Sequence, residues 1–249
     1  MRKPNRGPVV LSWITAGQLE HFTVSSILDT YLFDYSNDRV LLNDDAGYIG
    51  QMSSPRIAES RSEIVRTFLF DPQLERAEWL WCIDTDMTWR PEALYQMLDV
   101  ADPVERPVIG GLCFGGHPDG RIFPTLYSLA RDEHGPYTEQ IHEYPENVVL
   151  QVGATGAAFL LIHRSVFVRM AAPHPHGYGT RPDGTMNPYP WFYEGGIHKG
   201  RPFGEDIAFC MRLAALQIPL FVHTGVKVGH VKPTIMGESH YNRFRGERT

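Results

Sequence analysis

The sequence has 249 residues, of which 43% are hydrophobic and 21% charged, and its formal net charge is −6. These values are typical of a folded protein with a sizeable core, and the acidic balance disfavours general binding to nucleic-acid phosphates. Cys82, Cys113 and Cys210 stand far apart in apolar runs, so we expect buried thiols. Because no signal-peptide or membrane-spanning run is present, we expect a cytoplasmic protein.

Segments with strand and helix patterns alternate through the first half of the chain. Short apolar runs predict buried strands at residues 9–14, 39–42, 79–83 and 108–114. Helices are predicted between them, at residues 21–33, after Ser53-Ser54-Pro55 and after Pro91. In the first helix, apolar residues recur at helical spacing: Val24, Ile27, Leu28, Tyr31 and Leu32. The alternation favours an α/β sheet with crossover connections.

The second half of the chain is less regular. Residues 115–150 are rich in Gly, Pro and His, with short strand-like pieces such as residues 125–129. An apolar run at 157–162 predicts another strand. A helix is predicted to start at Gly204-Glu205-Asp206, and the ordered part closes with strand-like runs at 219–223 and 226–230.

The strongest chemical signal is Asp84-Thr85-Asp86, which directly follows the apolar run 79–83. Ligands of open α/β sheets bind outside the carboxyl ends of the strands, and two carboxylates placed there can hold a divalent cation that grips a diphosphate. The alternative is a solvated turn in which an aspartate caps the helix near Pro91.

Three weaker signals follow along the chain. Gly153-Ala154-Thr155-Gly156 allows a close approach of the backbone to a ligand, or forms a tight turn before a strand. Glu205 and Asp206 could supply a general base, although acidic residues also favour a helix start for electrostatic reasons. His230 could complete a metal site begun by two carboxylates.

Several common motifs are absent from the sequence. It contains no GxGxxG fingerprint and no phosphate-binding loop of the GxxxxGK[ST] type, which disfavours dinucleotide binding and P-loop NTPases. It also contains no CxxC pair, HExxH or GxSxG, which disfavours zinc sites and serine hydrolases.

The order of the motifs resembles that of GT-A glycosyltransferases, close to the family 2 type. The matching stretches are the opening strand with Thr15 and Ala16, the helix start around Arg61, the strand ending in Asp84-Thr85-Asp86, the glycine loop 153–156, the Glu205-Asp206 helix and the C-terminal His230. Ser62 stands where that family usually has Asn. The resemblance implies one GT-A domain over residues 1–249: a nucleotide-sugar-binding half at 9–115, an acceptor-side half at 116–235 and a tail at 236–249.

The resemblance also implies a chemistry. The donor would be a nucleotide-diphosphate sugar, with UDP the favoured nucleotide, and Mn²⁺ or Mg²⁺ would be bound by Asp84, Asp86 and His230. Asp206 would remove the proton of the acceptor hydroxyl and give inversion, with Glu205 as the fallback base. Retention of configuration stays open, because some GT-A enzymes share the metal site without a usable base. Donor contacts would come from Thr15, Ala16, Arg61, Asp84, Thr85, Asp86, Gly153, Thr155 and Gly156.

The acceptor side is predicted from residues 171–203, where scattered prolines exclude a continuous helix and glycines give hinge freedom. We expect a mobile flap over donor and acceptor, with Trp191, Phe192 and Tyr193 as an acceptor platform; alternatively these aromatic residues pin the segment to the core. Composition favours a protein, glycan or small-molecule hydroxyl as acceptor over a modified DNA base, because the chain has no general attraction to phosphates.

Two other functions stay open. Asp84-Thr85-Asp86-Met87-Thr88 locally resembles the first motif of haloacid-dehalogenase-type phosphatases, with Lys199 and Glu205-Asp206 as later partners. In that family the motif lies near the N-terminus, whereas two predicted strands and two helices precede it here. The third possibility is a module that binds a sugar nucleotide or a glycan without catalysis.

Overall fold

The structure is a computed structural model that describes residues 7–42, 47–117, 120–173, 184, 188–233 and 238. Its helices are α1 His21–Tyr35, α2 Ile57–Phe70, α3 Ala93–Val100, α4 Arg164–Ala171 and α5 Glu205–Ala215. Its strands are β1 Val9–Thr15, β2 Tyr48–Met52, β3 Trp79–Asp84, β4 Met87–Thr88, β5 Val108–Leu112, β6 Phe114–Gly116, β7 Ile122–Pro124, β8 Leu126–Asp132, β9 Gly135–Gln140, β10 Val149–Val152, β11 Ala154–Thr155, β12 Phe159–His163, β13 Gly196–His198, β14 Arg201–Phe203, β15 Leu220–Lys227 and β16 Gly229–His230.

A seven-stranded mixed sheet organises the chain, in the order β10-β15-β5-β12-β3-β1-β2. Strands β1, β2, β3, β5 and β15 run in one direction, and β12 runs against both of its neighbours β3 and β5. The carboxyl ends of the five parallel strands therefore meet at one edge of the sheet. Because β12 is reversed, the residues that precede it arrive at this same edge.

Helices cover both faces of the sheet, as its fully apolar strands require. One hydrophobic cluster packs α2, α4 and α5 against one face, with Phe68, Phe167 and Phe209 among its largest members. The other cluster packs α3 and part of α1 against the opposite face around Trp79, Trp81 and Phe159. The predicted α/β sheet with crossovers is confirmed, and the chain forms a single α/β domain.

The second half adds smaller sheets at the carboxyl edge of the central sheet. Strands β8, β9 and β11 form a three-stranded sheet, and β13 pairs with β14 as a hairpin. The last strand, β16, pairs with β4, so that His230 lies opposite Met87. This pairing brings the C-terminal histidine beside the Asp84-Thr85-Asp86 turn.

One predicted strand is wrong. Residues 39–42 form only an isolated bridge, in which Leu41 pairs with Val9, and the strand beside β1 is β2 instead. The N–H groups of Val40 and Leu41 donate to the carboxylate of Asp34 rather than to a neighbouring strand. The described residues omit 174–183 and 185–187 of the predicted flap, and they omit all of the predicted tail except residue 238. No helix in the described ranges is long and apolar enough to span a membrane.

Helix α1 forms as its apolar spacing indicates, but with an unexpected orientation. Its buried residues are the polar Thr23, Ser26, Thr30 and Asp34, whereas Val24, Leu28 and Leu32 are exposed. Hydrogen bonds explain the reversal. Thr23 donates to the carbonyl of Met87, and the indole of Trp89 donates to Thr30 at 2.9 Å.

Asp34 anchors the end of α1, and its replacement by Ala should destabilise the fold. Its carboxylate accepts hydrogen bonds from the N–H groups of Val40 and Leu41 and from the Tyr95 hydroxyl. Each buried donor left without a partner costs ~1–3 kcal/mol, so we expect Asp34→Ala to lower the free energy of unfolding by ~3 kcal/mol or more. Urea unfolding measures this. Asp29→Ala, at an exposed position of the same helix, is the control and should change stability by less than ~0.5 kcal/mol.

Candidate active site

Asp84 and Asp86 lie at the carboxyl edge of the central sheet, in the turn between β3 and β4. The N–H of Asp84 donates to the carbonyl of Ala158 at the start of β12. The carbonyl of Thr85 accepts hydrogen bonds from the N–H of Glu20 and the hydroxyl of Thr23. Helix α1 therefore fixes the backbone of this turn, and both aspartate side chains stay partly accessible.

Arg61 connects two parts of the site. Helix α2 buries Ile64, Val65 and Phe68 in the core, and Arg61 lies on the same face one turn earlier. Its Nη2 donates to Asp84 Oδ1 at 3.2 Å and its Nε donates to Glu205 Oε1 at 3.1 Å. Burial acts to lower the pKa of Arg61, but the two carboxylates outweigh it and raise the pKa above its ordinary value. Arg61 was expected to contact the donor, and its guanidinium is instead a buried bridge between Asp84 and Glu205.

Removal of this bridge should be costly. Breaking a buried ion pair leaves an uncompensated charge and costs ~3–5 kcal/mol; because Asp84 is partly exposed, we expect the lower end, about 3 kcal/mol, for Arg61→Met in urea unfolding. Arg56→Met is the matched control, since Arg56 pairs with Glu59 on the same helix and both side chains are exposed. A surface pair of that kind contributes ~0–1 kcal/mol. Equal losses in the two variants would contradict the assigned role.

Asp86 carries two cationic or ionisable neighbours from the C-terminal strand. Lys232 Nζ donates to Asp86 Oδ2 at 2.7 Å, and His230 Nε2 lies 3.0 Å from the same oxygen. Burial acts to raise the pKa of Asp86, but the hydrogen bonds from His230 and Lys232 hold it at about 2. The hydrogen bond with Asp86 in turn raises the pKa of His230 above its ordinary value.

The chemistry of these side chains fits a divalent cation in part. His230 Nδ1 lies 3.0 Å from the carbonyl of Phe114. When Nδ1–H donates to that carbonyl, Nε2 is the nitrogen that can bind a metal, an arrangement usual for metal-binding histidines; in this structure Nε2 forms a hydrogen bond with Asp86. Within the described ranges, no three His, Cys, Asp or Glu side chains lie together as a ready ligand set. Asp84, the third expected ligand, pairs with Arg61. Mg²⁺ is commonly held by one or two carboxylates plus substrate phosphates; Asp86 offers such a carboxylate, and His230 lies beside it.

Asp206 lies in the first turn of α5, next to Glu205, and its charge interacts with those of Arg61 and Asp84. The N–H of Ile207 donates to Asp206 Oδ1 at 2.7 Å. A Cβ atom on Gly156 would lie 3.7 Å from Asp206 Oδ2, so the glycine loop reaches this carboxylate. Burial and the neighbouring Glu205 raise the pKa of Asp206. A carboxylate with a raised pKa at a partly accessible position is suited to accepting a proton.

The other expected donor contacts divide into two groups. Thr15 ends β1 at the site edge, where its hydroxyl donates to the carbonyl of Gln18, and Ala16 beside it is exposed. Gly153 and Thr155 have structural roles instead. A Cβ atom on Gly153 would collide with the backbone of β8, at 2.3 Å from the nitrogen of Leu129. Thr155 is buried and its hydroxyl donates to the carbonyl of Thr125.

Two of the three aromatic residues expected to form an acceptor platform are buried in the core. Trp191 is 2% exposed and donates to the carbonyl of Phe167, and Phe192 is 3% exposed and stacks on Phe209. The segment is tied down further by Ser62, whose hydroxyl bonds with both backbone groups of Phe192. Tyr193 alone of the three is partly accessible, and it lines an open cavity of about 590 Å³ between α2 and residues 188–194.

Two residues of the site have no counterpart among those expected from the sequence. Lys232 was missed because a lysine in a polar segment is ordinarily a solvated surface residue; its place two residues after His230 is the only signal that could have indicated a role. Thr23 was missed because a threonine inside an apolar helix pattern carries no sign that it supports a distant turn.

Comparison with known proteins shows which solved structures share this fold. No family model and no curated protein matches the sequence. Among solved structures, A197 from STIV superposes with a TM-score of 0.54 at 14% identity, covering 91% of this chain and 86% of that one. GalNAc-T7, solved with UDP, GalNAc and Mn²⁺, superposes with a TM-score of 0.53 at 12% identity, covering 92% of this chain. The chain has a GT-A fold. It matches 45% of the GalNAc-T7 chain, and at these identities the likeness concerns the fold.

Proposed function

We propose that this protein is a metal-dependent glycosyltransferase that moves a sugar from a nucleotide-diphosphate sugar to an acceptor hydroxyl. The observation that carries the proposal is the charged edge of a GT-A sheet, with Asp84 and Asp86 in one turn and Asp206 beside Glu205 at the start of α5. Arg61 connects Asp84 to Glu205 through two ion pairs, and the charges of Glu205 and Asp84 contribute to the raised pKa of Asp206.

The donor would bind along this edge with its diphosphate towards Asp86. Asp86 and His230 would hold Mn²⁺ or Mg²⁺, which supplies positive charge to the departing diphosphate. Lys232 adds a cation of its own beside Asp86. We expect Thr15, at the end of β1, and Ala16 beside it to contact the nucleoside. The solved GalNAc-T7 structure with UDP, GalNAc and Mn²⁺ supports a UDP-sugar as the first donor to test.

Asp206 would act as the general base. Its carboxylate accepts the proton of the acceptor hydroxyl, whose oxygen then attacks the anomeric carbon from the side opposite the diphosphate. This displacement inverts the configuration at that carbon. Glu205 is less suited to the role, because its Oε1 already accepts a hydrogen bond from Arg61.

The acceptor is proposed to be a protein, glycan or small-molecule hydroxyl. A net charge of −6 gives no general attraction to a phosphate backbone. Tyr193 and the cavity beside α2 offer one surface for the acceptor or for a distal part of the donor. The phosphatase alternative is disfavoured, because Lys199 pairs with Asp132 at 2.6 Å and the fold is that of GT-A proteins.

A thermal-shift screen of nucleotide sugars, with and without Mn²⁺, tests donor binding. A ligand that binds only the native state at a hundredfold excess over its Kd stabilises it by ~2.7 kcal/mol. We expect one group of nucleotide sugars to raise the melting temperature, and Mn²⁺ to increase the shift. If no nucleotide sugar shifts the transition, the proposal fails; binding without release of the nucleoside diphosphate would indicate a non-catalytic module.

A further inference from the structure

Helix α1 presents an apolar stripe to the solvent. Its members recur every three or four residues: Val24, Leu28, Leu32 and Tyr35. Leu28 is 58% exposed, Leu32 68% and Tyr35 63%. Tyr48 of the edge strand β2 is similarly exposed and lies beside the helix, where the hydroxyl of Tyr31 donates to the carbonyl of Gly47. We refer to these five residues, Val24, Leu28, Leu32, Tyr35 and Tyr48, as the α1 stripe.

The helix cannot turn this stripe inward. Its opposite face is fixed by the hydrogen bonds of Thr23, Thr30 and Asp34 to the Asp84–Trp89 segment, to Tyr95 and to the backbone at residues 40–41. Rotation of the helix would break all of these bonds and bury their partners unsatisfied. The outward apolar face is therefore a fixed feature of the folded chain.

The size of the stripe is that of a protein contact. Its side chains leave on the order of 500 Å² of apolar surface exposed, which with a polar rim approaches the ~800 Å² per partner of a stable interface. Residues 1–6 and 239–249, at the two ends of the sequence, are mostly polar and charged. Such segments are poorly suited to covering the apolar α1 stripe. Residues 17–38 contain no Lys or Arg, whereas helices that lie on membranes carry many.

The charges at the two ends of the helix favour a second copy of this chain. Glu20 is exposed just before the first turn, and Asp38 and Arg39 are exposed just after the last one. The Arg39 guanidinium lies 4.1 Å from the centroid of the Tyr35 ring, so its charge is held at the C-terminal end of the α1 stripe. When two such helices pack antiparallel about a two-fold axis, each Glu20 approaches the Arg39 end of the other copy, and the helix dipoles are also opposed. A parallel arrangement would place like charges together.

We propose that the α1 stripe is the interface of a two-fold symmetric homodimer in which the α1 helices of two copies pack antiparallel. Sedimentation velocity over a wide range of concentration measures the association. We expect the wild-type chain to form dimers, and Leu32→Glu to raise the dissociation constant ~30-fold or more, as for a central interface residue. Val104→Glu, at an exposed position between α3 and β5, is the matched control and should leave the dimer intact.

A charge reversal tests the arrangement of the helices. Glu20→Arg and Arg39→Glu should each weaken the dimer, and the double variant should recover most of the loss. Thermal unfolding of every variant shows whether the monomer remains folded. A wild-type chain that stays monomeric at every concentration overturns the proposal, and so does a dimer that tolerates Leu32→Glu. A double variant weaker than both single variants overturns the antiparallel arrangement.

Discussion

Replacement of Asp206 by Asn is expected to lower the turnover number by ~10²–10⁴, the usual loss when a general base is removed. Asn keeps the shape of the side chain, and its carbonyl can still accept the hydrogen bond from the N–H of Ile207. Donor binding should therefore be unchanged. Release of the nucleoside diphosphate, with the acceptor or with water as acceptor, provides the measurement.

The pH dependence gives a second test of the base. Asp206 must be ionised to accept a proton, and burial together with Glu205 raises its pKa. The rate should thus fall as the pH is lowered, with a midpoint above the ordinary aspartate range, and Asp206→Asn should lose this limb. Glu205→Gln is the matched control: it should reduce stability through the lost contact with Arg61 and affect turnover less. If Glu205→Gln is inactive while Asp206→Asn is not, the roles are reversed.

Replacement of Asp86 by Ala is expected to abolish metal-enhanced donor binding. Asp86 is the carboxylate that His230 and Lys232 both contact, so its removal takes away the anionic centre of the predicted metal site. Loss of groups that only support a metal ligand already costs ~10–100-fold in affinity; we expect ~100-fold or more for Asp86→Ala. Titration calorimetry of the donor, in Mn²⁺ and in EDTA, measures this.

The control for Asp86 is a carboxylate at the opposite end of the sheet. Asp102 is partly exposed, and its carboxylate accepts hydrogen bonds from the backbone N–H groups of Val104 and Glu105 in its own turn. Asp102→Ala should leave donor affinity unchanged in both conditions. Wild-type binding that is the same in Mn²⁺ and EDTA would refute metal dependence. His230→Ala should weaken the metal effect less than Asp86→Ala does, because imidazole contributes no negative charge.

The elements that could be predicted from the sequence are those whose residue pattern lies within a single short segment. The apolar run that became β3 ends at Asp84, and the helix with two acids in its first turn became α5. Both are recognisable because strand burial and helix starts depend on neighbouring residues. The proximity of Asp206 to Asp84 was predicted only through the resemblance, since the order of strands in a sheet is not encoded within any one segment.

Features that depend on distant partners were not predictable. The inward polar face of α1 requires the indole of Trp89 and the carbonyl of Met87, more than fifty residues away. Gly153 was predicted to lie in a ligand-binding loop, but the structure gives another reason for a glycine there: the backbone of β8 leaves no room for a side chain. Trp191 and Phe192 lie in a segment without helical or strand periodicity, so no local pattern favoured their burial in the core over contact with an acceptor.

The most direct test of the account is product analysis with a panel of nucleotide sugars, Mn²⁺ and the purified chain. The account predicts that one donor releases its nucleoside diphosphate, that Asp206→Asn slows this release, and that the transferred sugar has inverted anomeric configuration by NMR. No consumption of any nucleotide sugar, together with Asp84-dependent hydrolysis of a phosphate monoester, would contradict it.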